Sequence, residues 1–118
     1  MPPGEPERLE LLQGTLDLLV LEILGRGPLH GYGISHAIQV RSKDVLRVDT
    51  GSLYPALHRL EKRRWITAEW ITSEKHQRVR QYELTAVGRK QLVAERARWA
   101  NLSEAIARVL GLPGSEGV

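Results

Sequence analysis

Residues 48–65 read V-D-T-G-S-L-Y-P-A-L-H-R-L-E-K-R-R-W, and no other stretch of the chain limits the fold as tightly. Asp49 and Thr50 carry side-chain oxygens able to accept the unpaired N–H groups of a first helical turn. Pro55 donates no backbone hydrogen and is tolerated only close to a helix start, which puts that start shortly before it. Leu53, Leu57 and Leu60 then recur at helical spacing and define one buried stripe. At about 100° per residue, Ser52, Pro55, His58, Arg59 and Lys62 fall on the opposite side. The outward face is short polar groups first and cations after. Such a helix can lie in a DNA major groove with phosphates close to its basic end. An ordinary amphipathic helix with a solvated charged face has the same pattern, so the rest of the chain has to decide.

Charge distribution is the first discriminator. The chain of 118 residues carries a formal charge of only +3. Between His58 and Arg80 stand Arg59, Lys62, Arg63, Arg64, Lys75, Arg78 and Arg80 against Glu61, Glu69 and Glu74, so this segment exceeds the whole chain in net charge and the remainder is slightly acidic. A concentrated basic face on a near-neutral body fits a polyanionic partner. Cysteine is absent, which excludes disulfides, thiolate nucleophiles and cysteine-ligated metals. The four histidines, His30, His36, His58 and His76, show no metal-binding spacing, and neither a nucleophile elbow nor a phosphate loop is present. No enzymatic activity and no cofactor are expected. The opening M-P-P-G-E-P-E-R lacks the basic start and apolar core of a signal peptide, and Asp17 and Glu22 interrupt an apolar run too short to cross a bilayer, so a cytoplasmic location and no membrane partner are expected.

The length fits one domain. Residues 1–8 read as a disordered Pro- and Gly-rich tail. A first helix is expected over about Leu11 to Gly25, with Leu12, Leu16, Leu19, Val20, Ile23 and Leu24 as one broad stripe and Leu18 and Leu21 outside it; Asp17 and Glu22 on it call for no more than solvation or a helix-end role. Gly25-Arg26-Gly27-Pro28 stops it. A turn at Leu29–Gly33 leads into a short helix over about Tyr32 to Val40, a connector spans Arg41–Asp49, and the Thr50–Arg64 helix follows. Trp65–Ile71 and Val79–Leu84 are β-branched and aromatic, as strands are, and enclose a polar turn. This hairpin has a basic tip at Lys75, His76 and Arg78. Thr85 is placed to cap a last helix running to about Leu110, where Gly111 and Pro113 end it; residues 112–118 read as a second disordered tail. Leu92, Trp99 and Ile106 are seven apart, with Leu102 and Val109 at intervening positions, which is a short heptad seam. Such a seam suits a partner helix; packing against its own domain is the other reading.

Three helices followed by a hairpin form the winged helix-turn-helix plan. The fold class is α+β, mostly α: a winged helix-turn-helix over 9–84 with a long C-terminal dimerisation helix over 85–111. The segments L-L-Q-G-T-L-D-L-L-V-L-E-I-L, G-P-L-H-G-Y-G-I, G-S-L-Y-P-A-L-H-R-L-E-K-R-R-W-I, Y-E-L-T-A-V-G-R-K-Q-L and R-W-A-N-L-S-E-A-I carry a resemblance to the PadR family of bacterial transcriptional regulators, in its short form. It covers about residues 10–110. It implies a homodimer formed through the first and last helices, an inverted-repeat operator in double-stranded DNA, and in most cases repression. It also implies, for some small members, a flat aromatic effector held between the last helices by a tryptophan; Trp99 matches that position and otherwise fills the dimer core.

On these grounds Ser52, Tyr54 and His58 are candidate base readers with Thr50 nearer the backbone, and Arg59, Lys62 and Arg63 are candidate phosphate clamps. Tyr54 is alternatively a packing residue against the short helix. Lys75, Arg78 and Arg80 are candidate phosphate contacts of the wing, while Arg64 is left to pair with Glu61 or Glu69. Leu16, Leu92, Trp99, Leu102, Ile106 and Val109 are the expected dimer contacts. His30 is expected to be structural. The competing function is a winged-helix protein-interaction module without DNA affinity, which would show exposed aliphatics on the third helix instead.

Overall fold

The computed structural model describes residues 13–113, so the expected tail at 1–8, Leu12, and residues 114–118 of the tail expected over 112–118 lie outside it. The chain runs α1 (Gln13–Leu24), β1 (Leu29–His30), α2 (Gly31–Arg41), α3 (Thr50–Lys62), β2 (Ile66–Thr72), β3 (Arg78–Leu84) and α4 (Ala86–Leu110). The α+β, mostly helical class is as expected. One element is new: β1 pairs antiparallel with β3, Leu29 opposite Tyr82 and His30 opposite Gln81, so the hairpin becomes a three-stranded sheet in the order β1-β3-β2. A strand of two residues has no period to read in a sequence.

Helix starts follow their capping side chains. Asp49 Oδ1 accepts the Ser52 amide at 2.8 Å, and Thr85 Oγ1 accepts the Gly88 amide at 2.9 Å. His30 does the same for α2, with Nδ1 accepting the Gly33 amide at 3.0 Å, which makes Nδ1 the unprotonated ring nitrogen. Its structural role is thereby concrete. At the far end of α4 the Leu112 amide bonds the Ala107 carbonyl at 3.0 Å, so the expected tail is still tied to the helix at its first residue.

The core is built around α1, which packs against α2, α3 and α4. Leu16, Val20, Leu21 and Leu24 meet Ile34 and Ile38 of α2, Leu53, Ala56, Leu57 and Leu60 of α3, Ile66, Tyr82 and Leu84 of the sheet, and Leu92 of α4. Leu21 is therefore a core residue rather than surplus. Leu16 and Leu92, expected at a subunit contact, are also buried within the single chain. Helices on several sides of α1 cover more than one of its faces, and α4 still touches the body at Leu92.

Beyond Leu92 the last helix has no buried residue, and Val93, Trp99, Leu102, Ile106, Val109 and Leu110 are all exposed. Its first turn, by contrast, is fixed to the base of the hairpin. The Thr85 amide bonds the Trp65 carbonyl at 3.0 Å, and the Thr85 hydroxyl lies 2.8 Å from the Arg64 carbonyl and 3.1 Å from that of Trp65. Gly88 faces the same place: a Cβ there would overlap the Trp65 carbonyl oxygen, so only glycine lets the helix approach so closely.

Candidate nucleic-acid interface

The hydrophobic stripe of α3 fixes which side chains face out. With Leu53, Ala56, Leu57 and Leu60 against the core, Thr50, Ser52, Tyr54, Pro55, His58, Lys62 and Arg63 are exposed. No exposed aliphatic side chain stands among them. Pro55 is the sixth residue of the helix, and the Gly51 carbonyl it cannot serve belongs to an exposed residue open to water. Lys62 occupies the last turn of the helix and Arg63 caps it, where cations oppose the negative end of the dipole. Arg63 also lies over the Trp65 ring, 5.0 Å from its centroid.

Two expected phosphate contacts are engaged inside the protein. Arg59 Nη2 donates to Asp17 Oδ1 of α1 at 2.9 Å, with the carboxylate almost entirely buried and the guanidinium half-buried. Arg59 Nε is buried without a hydrogen-bond partner among the described residues, so the Asp17 bond carries the head group on the inner side of α3 at the cost of one unsatisfied donor. Arg59 is therefore corrected from phosphate clamp to helix anchor. Asp17 is corrected with it, from a solvated position to the sole buried charged side chain among the described residues. A signal was present: Asp17 shares the face of Leu16, Val20 and Leu24, and a carboxylate on a core face requires a cation. Arg80 Nη2 donates to Glu61 Oε2 at 2.8 Å, tying β3 to α3, so Glu61 is taken by Arg80 rather than by Arg64. Arg64 instead occupies the left-handed region with φ 62° at the α3–β2 turn.

In the wing, Ser73 and Gln77 close the loop through the Ser73 amide and the Gln77 carbonyl at 2.7 Å. Lys75 and Arg78 are exposed, and the Arg78 guanidinium sits 5.3 Å from the centre of the Trp70 ring. Tyr54 projects from α3 toward the start of α2, where a Cβ on Gly31 would come within 2.8 Å of its hydroxyl. Its ring both packs against the short helix and remains half open to solvent. Burial pushes the Tyr82 phenol above its ordinary pKa, opposed by the nearby Arg80 charge.

An open cleft of about 450 Å³ separates α2 and α3 from the wing and is lined by His30, Gly31, Tyr32, Tyr54, Trp70, Arg78, Val79, Arg80 and Tyr82. A second, of about 230 Å³, lies between α1 and α4 and is lined by Gly14, Thr15, Leu18, Glu95, Arg98, Trp99 and Leu102. Trp99 and Leu102 thus face Leu18 of α1 across this cleft, whereas the expected Leu16 is buried. Among the described residues no group of three or more His, Cys, Asp or Glu could hold a metal ion, and no helix is long and apolar enough to cross a membrane.

A three-helix head with a hairpin wing, an outward helix of polar and basic side chains, and a basic wing tip define a winged-helix regulator of the DNA-binding class. The model of the transcriptional regulator PadR-like family matches residues 20–94, and the chain belongs to that family. A transcriptional regulator of Clostridium thermocellum is 27% identical with a TM-score of 0.74, over 81% of this chain and 93% of that one. A PadR-like transcriptional regulator of Bacillus cereus is 26% identical with a TM-score of 0.72, over 84% of this chain and 94% of that one. An uncharacterized protein of Lysinibacillus sphaericus is 27% identical over 84% of this chain and 91% of its own length.

Proposed function

We propose that the protein is a homodimeric transcriptional repressor that binds an inverted-repeat operator and is released by a ligand or signal. The observation that carries this reading is the pairing of two exposed surfaces in one chain: the polar and basic face of α3, and the apolar seam of α4. Thr50, Ser52, Tyr54 and His58 read or approach bases, Lys62 and Arg63 hold phosphates at the end of α3, and Lys75, Arg78 and Arg80 hold phosphates at the wing, Arg80 once it exchanges Glu61 for DNA. Trp99, Leu102, Ile106 and Val109 of one subunit cover those of its partner, with Leu18 at the edge. The two copies of α3 then enter successive major grooves about 34 Å apart on one DNA face.

The cleft beside Trp99 is the place for an effector. A flat apolar molecule lodged between α1, α4 and the partner's α4 changes the separation of the heads, and binding energy that differs between the two arrangements releases the operator. The lack of exposed aliphatics on α3 speaks against a protein-interaction module.

Competition binding tests the assignment. Arg78→Ala weakens binding to every duplex alike and lowers the salt slope by about one counterion. Ser52→Ala and His58→Ala change preference among sequences instead. Equal losses on all sequences for all three variants would overturn the division of roles, and a wild-type protein without salt-sensitive, sequence-selective binding to its own promoter would overturn the function.

A further inference from the structure

Four of the chain's six aromatic residues, Tyr32, Tyr54, Trp70 and Tyr82, line the single cleft between the helices and the wing. Tyr82 is buried, but Tyr32 is 73% exposed, Trp70 59% and Tyr54 49%. Aromatic side chains are the costliest to leave in water, and isolated exposed ones are common enough; three converging on one concavity are not.

The sheet register explains how Trp70 comes to be uncovered. Ile66 lies opposite Leu84, Ala68 opposite Tyr82 and Trp70 opposite Arg80. Directly opposed residues share a face, so Trp70 and Arg80 continue the inner face on which Ile66, Tyr82 and Leu84 meet the core. The sheet outruns the body. Past Tyr82 its inner face meets α3 through Arg80, which bonds Glu61, and Trp70 is the large side chain left facing the open cleft. Arg78 lies against the same ring, Arg80 borders it, and the positive end of the α2 dipole opens on it through His30, Gly31 and Tyr32; the lining residues include no carboxylate, and Glu61 outside them holds Arg80 at 2.8 Å.

We propose that this overhang is a clamp for one sugar–phosphate strand of duplex DNA, in which Trp70 packs its ring on a deoxyribose while Arg78 and Arg80 hold the adjoining phosphates. The proposal rests on the DNA-binding reading above and adds a residue to it. The occupant follows from the lining. Cations at a cleft whose lining holds no carboxylate favour a polyanion, for which Arg80 exchanges Glu61, and flat apolar faces interleaved with them select a chain whose apolar rings alternate with its charges. The overhang also continues the DNA face of α3, so a strand flanking the groove that α3 enters is carried into it. Because sugar and phosphate repeat at every nucleotide, the clamp adds affinity without adding sequence preference.

Trp70→Ala is expected to weaken binding to operator and to random-sequence duplex by the same factor, about fivefold to tenfold, the lower end of the range for a lost base–aromatic stack because a sugar offers less surface than a base. The salt slope stays at the wild-type value, because no cation is removed, whereas Arg78→Ala lowers it. Trp70→Phe retains most of the affinity. In protein labelled with 5-fluorotryptophan, the Trp70 fluorine resonance, assigned by its loss in Trp70→Phe, shifts when duplex is added. Thermal melts of the free variants exclude a folding defect. Wild-type binding with an unaltered Trp70→Ala affinity, or with a Trp70 resonance that does not move, would overturn the clamp and leave the regulator reading intact. A wild-type protein that binds no duplex at all would overturn both.

Discussion

The head of the molecule, from α1 to β3, and the distal half of α4 are built from similarly apolar sequence, yet they treat it in opposite ways. In the head, the leucines of α3 are buried by α1 and the sheet of the same chain, and even Leu21 of α1, outside the expected stripe, is fully covered. Past Leu92, α4 keeps the same kind of residues at helical spacing and covers none of them. A hydrophobic stripe is thus a statement about a helix only; whether its own chain or another surface buries it depends on how many neighbours the fold supplies. α1 has three helical neighbours, whereas α4 packs chiefly on α1 and buries no residue past Leu92.

The comparison can be broken first in the head. Leu57→Ala should cost about 4 kcal/mol of unfolding free energy, toward the upper part of the range for a buried leucine, and the loss measured by denaturant titration should be independent of protein concentration. Asp17→Ala follows at about 3 kcal/mol, since it strands the half-buried Arg59 guanidinium; a loss below 1 kcal/mol would mean that the pair is no anchor. In the distal helix the expected effect is of another kind. Leu102→Glu with Ile106→Glu should convert a dimer to a monomer in sedimentation at micromolar concentration while the circular dichroism of the head is retained. A melting temperature that rises with concentration in the wild type and is flat in this variant would sharpen the contrast; a wild type already monomeric would remove it. Glu61→Gln should have the smallest effect, about 0–1 kcal/mol, because the Arg80 pair is largely solvated.

Much of this division was legible in the residues. Asp49 before the Leu53–Leu57–Leu60 stripe gave the start and the inner face of α3, and Thr85 with Gly111 bounded α4. The β-branched and aromatic runs around a polar turn gave the hairpin. The rest was hidden for definite reasons. β1 is too short for a period, and its pairing with β3 is a contact between distant segments. Periodicity groups Leu16 with its neighbours on α1 but does not say which element covers that face; Leu16 and Leu92, expected at a subunit contact, are covered within their own chain. Arg59 sits at the border of the exposed face, where one residue's rotation decides between a phosphate and Asp17. Trp70 reads as one more strand aromatic until the register shows that the sheet extends past the body.

The knot at Thr85 has a consequence for how such a molecule can vary. The Trp65 carbonyl accepts from the Thr85 amide and lies beside its hydroxyl, 20 residues apart in sequence, and Gly88 rests on the same carbonyl. Those 20 residues leave and return to one fixed point, so the strands and tip between them form a closed excursion. Insertions or deletions at the tip alter how far the excursion reaches along a bound strand, yet they leave the heading of the last helix untouched. Reach and the direction of the last helix are therefore separable traits, each free to drift without retuning the other.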